Sequence, residues 1–291
     1  ILIAEAKWYT QPALRTIISN AQSYMVDYLY ANVIAMNELI CGDNIEILKT
    51  MDDNSIDLTV TSPPYDGLRD YNGYSFDFEG IAQQLYRVTK EGGVIVWVVG
   101  DAVVKGSETG TSFRQALHFM EIGLRLHDTM LYSKKGSSLP DPTRYFQKFE
   151  YMFVLSKGKP NTVNLIKDRK NKSAGAQKRT HNRNPTTGVV EYRNEVRYVG
   201  EYGLRYNIWE YSTSSQSSAD KISFNHPATF PEKLAYDHIM SWSNEGDVIL
   251  DPFVGSGTTC KMAKQLNRNY IGIDISQEYI DIAKERLNDS M

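Results

Sequence analysis

Thr61-Ser62-Pro63-Pro64-Tyr65 follows the apolar run IDLTV and concentrates residue types suited to holding a ligand. Two successive prolines remove two N–H donors and hold the backbone extended, which leaves neighbouring carbonyls free to accept. Ser62 adds a hydroxyl acceptor and Tyr65 a flat ring. A group with N–H bonds to donate and a planar face to stack suits such a loop, and an exocyclic amine on a nucleobase has both. Taken alone, SPPY reads equally well as a proline-stiffened turn with a half-buried tyrosine.

A second stretch, Asp251-Pro-Phe-Val-Gly-Ser-Gly-Thr-Thr259, sits between the strand-like DVILD and the helix-like TTCKMAKQLN, and the next strand, NYIGID, ends on Asp274. Glycines let backbone approach a ligand, and a helix N-terminus turns its amides toward it. Gly255 and Asp274 are nineteen residues apart, close to the roughly 20 that separate a glycine turn from a ribose-binding acid in a dinucleotide-type βαβ unit. The pattern therefore points to a nucleoside-bearing cofactor. A phosphate-binding P-loop does not fit, because no Gly-Lys-Ser/Thr follows and Lys261 comes only after Cys260.

The third stretch is a charge imbalance. Between Lys157 and Arg205 twelve Lys and Arg face four Asp and Glu, whereas the whole chain carries a net −3. A local basic surface on an otherwise acidic protein suits a polyanion, and Lys170, Lys172, Lys178, Arg179, Arg183, Arg193 and Arg197 are its candidate contacts. The polar run NKSAGAQKRTHNRNPTTG also suits a solvated, partly disordered loop.

These groups need a scaffold. GDNIEILKTMDDNSIDLTVT reads as turn, helix and buried strand, FEGIAQQLYRVTKEGG as helix with a glycine stop, VIVWVVGD as a buried strand, and TSFRQALHFMEIGL as a helix. LRLHDTMLYSK and FEYMFVLSKG read as two antiparallel edge strands, and SQEYIDIAKERLND as a last helix. Continuous apolar strands alternating with helices predict an α/β fold with a doubly wound, mostly parallel sheet. Ligands in such sheets sit beyond the carboxyl ends of the strands, which places SPPY beside the GSG turn. The expected divisions are a helical extension over 1–36, a catalytic half over 37–156, the basic insert over 157–220 and a cofactor half over 221–291.

Composition excludes other classes. With 291 residues, 41% hydrophobic and 23% charged, the chain can bury a full core. It has no apolar run near the ~20 residues a bilayer requires, and ILIAEAKWYT, which opens on Ile rather than Met, lacks the build of a leader. A cytoplasmic protein without membrane contact is expected. Cys41 and Cys260 are far apart and the five histidines show no HExxH spacing, so neither a disulfide framework nor a metal centre is expected.

TSPPY, HPATFPEKL and DPFVGSGTT together resemble the amino-methylating DNA methyltransferases that use S-adenosyl-L-methionine, and their order resembles the beta class of that family. The resemblance spans about Leu39 to Leu287 and implies a Rossmann-like fold with circularly permuted motifs. It implies that Ser62, Pro63, Pro64 and Tyr65 form the catalytic loop. The turn of Asp251, Phe253, Gly255, Ser256, Gly257 and Thr258 would cradle the methionine part, and Asp274 with Ile275 would receive the ribose. Asp43 and Asn44 would lie near the adenine, and His226, Pro227, Phe230 and Lys233 would complete the pocket. Plainer readings remain: Asp43 and Asn44 suit a helix cap, Phe253 suits core packing, and Phe230-Pro231-Glu232 suits a helix entry.

A ring amine is a poor nucleophile because its lone pair is delocalised. Its N–H bonds must be held by acceptors such as Ser62 and the Pro63 carbonyl while the lone pair is aimed at a methyl donor. Tyr65 would stack on a base rotated out of duplex DNA. A carbon-5 cytosine methyltransferase would require a nucleophilic cysteine, typically after proline, and neither cysteine here follows one. RNA or protein methylation, and a non-catalytic nucleic-acid module, remain open. In the resembled family Ser before PPY usually goes with N4-cytosine and Asp or Asn with N6-adenine, so N4-cytosine is the expected target and N6-adenine the alternative. A homodimer and a cognate restriction endonuclease are compatible with the sequence without being specified by it.

Overall fold

The computed structural model describes residues 35–64, 76–136, 142–212 and 231–288. The first half runs β1 (Glu38–Cys41), α1 (Asn44–Thr50), β2 (Ile56–Thr61), α2 (Phe78–Val88), β3 (Thr89–Val99), a small hairpin of β4 (Val103–Val104) and β5 (Ser107–Glu108), then α3 (Thr111–Glu121), β6 (Arg125–Lys134) and β7 (Phe149–Ser156). Four strands of the basic segment follow: β8 (Arg169–Lys170), β9 (Gln177–Arg183), β10 (Val190–Tyr198) and β11 (Tyr202–Gly203). The chain then gives β12 (Ile208–Tyr211), α4 (Glu232–Trp242), β13 (Val248–Asp251), α5 (Thr258–Gln265), β14 (Asn269–Asp274) and α6 (Gln277–Asn288).

Eight strands form one sheet in the order β1-β14-β13-β2-β3-β7-β6-β12, and only β7 runs against the rest. Period-2 alternation along β3 feeds two cores. Val94, Val96 and Val98 pack on the face covered by α4, α5 and α6, and Ile95, Trp97 and Val99 pack on the face covered by α1, α2 and α3. With both faces covered, the central strands are uniformly apolar, as parallel strands between two helical layers must be. The order reverses between β13 and β2, and their carboxyl ends, Asp251 and Thr61, lie side by side there.

Two expectations are corrected. The strands read as edges are internal: β7 lies between β3 and β6, and β6 is covered by β12, so β1 and β12 are the true edges. TKEGG does not end α2 with a glycine stop but begins β3, where Thr89 pairs with Ile56 and donates its hydroxyl back to the Leu85 carbonyl at 2.6 Å. Gly92, at φ +77°, is needed where the chain leaving β7 crosses over, because a Cβ there would meet the Asn161 side chain at 2.2 Å. The expected N-terminal helical extension falls almost wholly outside the described residues.

Candidate active site

The site is built at the switch point from residues that close the ends of β2, β13 and β14. Thr61, fully buried, donates its hydroxyl to Asp251 Oδ1 at 2.6 Å, and the Phe253 amide donates to the same oxygen at 3.1 Å. Thr259, in the first turn of α5, donates to the Val60 carbonyl at 3.0 Å. These bonds hold the SPP segment against the glycine turn: Ser62 is half-buried, Pro63 buried and Pro64 half-buried. Burial pushes the Asp251 carboxyl up to about 6, with the Asp274 charge adding to the rise and the Thr61, Thr259 and Phe253 hydrogen bonds opposing it.

Asp274 is held by the turn it faces. Its Oδ2 accepts from the Gly255 amide and its Oδ1 from the Ser276 amide, both at 2.9 Å, and burial raises its carboxyl as well. Gly255 and Gly257 have positive φ, and a Cβ on Gly257 would meet Ala283 Cβ of α6 at 2.8 Å. The β1–α1 loop closes the same corner. Asn44 Nδ2 donates to the Pro252 carbonyl at 3.1 Å, while Asp43 caps α1 by accepting from the Glu46 amide at 3.0 Å. Ile275 is partly exposed beside Cys41, whose thiol reaches the Ile275 carbonyl at 3.6 Å. Phe253 packs edge-on to Phe76 and Trp97.

Asp43, Asn44, Asp251, Phe253, Gly255, Gly257, Asp274 and Ile275 thus meet around one turn. Ser256 and Thr258 belong to that turn, but their side chains face inward to Arg286. Lys233 pairs with Asp237 on its own helix and lies over the Tyr236 ring at 4.6 Å. Tyr65, His226, Pro227 and Phe230 lie outside the described residues.

Sequence reasoning passes over Thr61, Thr259, Glu232 and Arg286. Arg286 leaves a signal: an arginine on the apolar stripe Ile280, Ala283, Leu287 of an amphipathic helix must find partners inside. It is 1% exposed and donates to the Ser256 carbonyl at 2.5 Å, the Ser256 hydroxyl at 2.8 Å, Thr258 Oγ1 at 3.2 Å and Glu232 Oε1 at 2.9 Å.

The basic segment is a ribbon rather than an irregular loop. β8 pairs antiparallel with β11 and β9 with β10, and Asn184 and Val189 close the tip. Lys170, Lys172, Arg183 and Arg197 are exposed on it, while Lys178, Arg179 and Arg193 belong to β9 and β10. Two of its cations serve the scaffold. Lys157 is buried on Asn54 and the Tyr86 and Thr89 carbonyls, and Arg205 bridges Asp168 to Asp237, the latter at 2.7 Å.

The buried Asp251 and the half-buried Asp274 form no salt bridge among the described residues, and Asp274 accepts one amide from the glycine turn, that of Gly255, and one from Ser276 just after β14. Two acids without a cationic partner among those residues suit a ligand that carries positive charge and hydroxyls. The model of the N6/N4 group of DNA methylases matches residues 56–285. The chain belongs to this DNA methylase family. It is 62% identical over 238 residues to the orphan methyltransferase M.BamHII of Bacillus amyloliquefaciens, covering 81% of this chain and 89% of that protein. It is 32% identical over 262 residues to the type II methyltransferase M.HpaI of Haemophilus parainfluenzae, covering 86% and 74%. Among solved structures, the PvuII DNA methyltransferase, described as cytosine-N4-specific, superposes with a TM-score of 0.64 at 20% identity over 87% of each chain. The M1.HpyAVI–SAM complex superposes with 0.57 at 22% identity over 86% and 99%. Both share the Rossmann-like fold. The methylase is an S-adenosyl-L-methionine-dependent DNA methyltransferase of the N4/N6 amino class. The donor set fits that cofactor: Asp274 offers oxygens suited to ribose hydroxyls, and the Asp251 and Asp274 carboxylates suit its positive charge.

Proposed function

We propose that the methylase acts on the exocyclic N4 of a cytosine turned out of duplex DNA. The observation that carries this is the Thr61–Asp251 hydrogen bond at 2.6 Å, which ties the acceptor loop Ser62-Pro63-Pro64 directly to the cofactor turn. A base inside a duplex keeps its amine out of reach, so the nucleotide must leave the stack to meet that loop. When bound, S-adenosyl-L-methionine supplies an electrophilic methyl group. Ser62 accepts one amine N–H and the Pro63 carbonyl the other, which turns the nitrogen lone pair toward the cofactor side of the loop. After transfer one of these protons passes to solvent water, which leaves the product amine neutral.

Ser62 favours cytosine over adenine: a hydroxyl reaches less far than the carboxylate or amide that begins the motif in N6-adenine enzymes of the resembled family. The exposed cations of the ribbon, Lys170, Lys172, Arg183 and Arg197, contact the DNA backbone, together with Lys178, Arg179 and Arg193 on the same strands. The word orphan in the name of the 62% relative favours action without a cognate nuclease. The bacterial source of that relative favours a place with DNA in the cytoplasm. Nucleoside mass spectrometry after reaction with mixed-sequence duplex DNA tests the base assignment. N4-methylcytosine is expected, and N6-methyladenine without it would reverse the choice.

A further inference from the structure

The last helix contributes a side chain to the cofactor turn that no motif of the sequence marks. Arg286, one of the largest fully buried side chains, spends its Nη1 on Ser256 and Thr258: the Ser256 carbonyl at 2.5 Å, its hydroxyl at 2.8 Å and Thr258 Oγ1 at 3.2 Å. Its Nη2 meets Glu232 Oε1 at 2.9 Å, and the same oxygen accepts from Lys261 Nζ at 2.9 Å. Glu232 is the first residue of α4, and Lys261 lies one turn inside α5. One guanidinium therefore joins the turn, the start of α4 and, through Glu232, the body of α5.

We propose that Arg286 is a positioning residue for cofactor binding and that Glu232 is the strut that holds it. The Ser256 carbonyl points into the protein because Arg286 fixes it there. The Gly255 amide of the same turn is then left to donate to Asp274, as its 2.9 Å bond records. A carbonyl released from Arg286 is free to rotate its peptide plane, which spoils a cradle made of backbone. The planar fork also explains why arginine stands here: one nitrogen serves the turn while the other serves Glu232, a geometry that a lysine ammonium does not reproduce. The inference rests on the reading that the cofactor lies at this turn.

Three variants separate the outcomes. Arg286→Lys keeps the charge beside Glu232 but loses the fork, and KM for S-adenosyl-L-methionine should rise about tenfold to a hundredfold, as expected for loss of charge-assisted hydrogen bonds. kcat and KM for DNA should stay near their original values, while the melting temperature should fall because buried acceptors on Ser256 and Thr258 lose a donor. Glu232→Gln, which keeps an acceptor for Arg286, should give a smaller shift in the same parameter. Asp274→Ala controls for the underlying reading and should weaken cofactor binding in calorimetry. If Asp274→Ala binds the cofactor normally, the placement of the cofactor is wrong. If Asp274→Ala weakens binding but Arg286→Lys lowers only the melting temperature and leaves KM for the cofactor unchanged, Arg286 is a structural residue and the inference is overturned.

Discussion

At Asp251, burial and hydrogen bonding pull the carboxyl in opposite directions, and burial prevails. The side chain is 1% exposed, and its pKa is raised from 3.8 to about 6 despite bonds from Thr61, Thr259 and the Phe253 amide. The folded state therefore holds this proton more tightly than the unfolded chain does. The stability it contributes is full below about pH 4 and is lost as pH rises through about 6. A shift of this size corresponds to about 3 kcal/mol at most. Thr61 and Phe253 both donate to Oδ1, so an asparagine with its oxygen in that place keeps both bonds. Asp251→Asn should accordingly flatten the fall in unfolding free energy between about pH 4 and 7, measured by urea titration at several pH values. An unchanged slope would assign the pH dependence to another group, with Asp274, also raised by burial, the first to test.

The elements differ in how plainly the sequence announces them, and the reason is what each one buries. β2, β3, β13 and β14 are buried on both faces, and their apolar runs are legible without structure. The turn between β13 and α5 is legible for a different reason: glycines, an acid and their spacing are local features. β1 and β12 are four residues long with mixed exposure, too short to write a pattern, and without β12 the strand β6 reads as an edge. Thr61 and Arg286 are silent in the sequence because their partners are 190 and up to 54 residues away. The ribbon is ambiguous because its described side chains are mostly exposed, so no buried face writes a period of two into it. The same exposure makes a prediction. If the ribbon carries DNA affinity by neutralising phosphates, exchanging Lys170, Lys172, Arg183 and Arg197 together for glutamine should flatten log affinity against log salt by about 0.9 unit for each duplex phosphate left without its cation. Fluorescence anisotropy with duplex DNA over a salt series measures this, and an unaltered slope would remove the ribbon from the interface. The exchange should leave the melting temperature almost unchanged, because none of the four lies in the buried core.

Across the whole molecule, α4 connects the glycine turn to the basic ribbon. Its first residue, Glu232, holds Arg286 and through it the glycine turn, and further along the helix Asp237, 2% exposed, receives Arg205 from the base of the ribbon. Arg205 also binds Asp168 at the other end of the ribbon and the Tyr211 hydroxyl on β12, which itself donates to Asp237 at 2.7 Å. One guanidinium thus fastens both ends of the ribbon to the sheet edge and to α4, and the ribbon is carried as a rooted arm. Arg205→Met keeps an aliphatic stem but removes the guanidinium that lies over the Trp209 ring and answers Asp237. Breaking a fully buried pair costs about 3–5 kcal/mol. With the Arg205 side chain 21% exposed and Lys233 still paired with Asp237, a loss of about 1–3 kcal/mol in stability is expected. The functional loss should fall on one side only. KM for DNA should rise because the arm is no longer held in one orientation, while cofactor affinity should be retained because Glu232 and Arg286 are untouched. Calorimetry with S-adenosyl-L-methionine and steady-state kinetics with duplex DNA, run on the same preparation, distinguish the cases. A parallel loss of cofactor affinity would mean that α4 moves as a unit and transmits the damage from the arm to the turn.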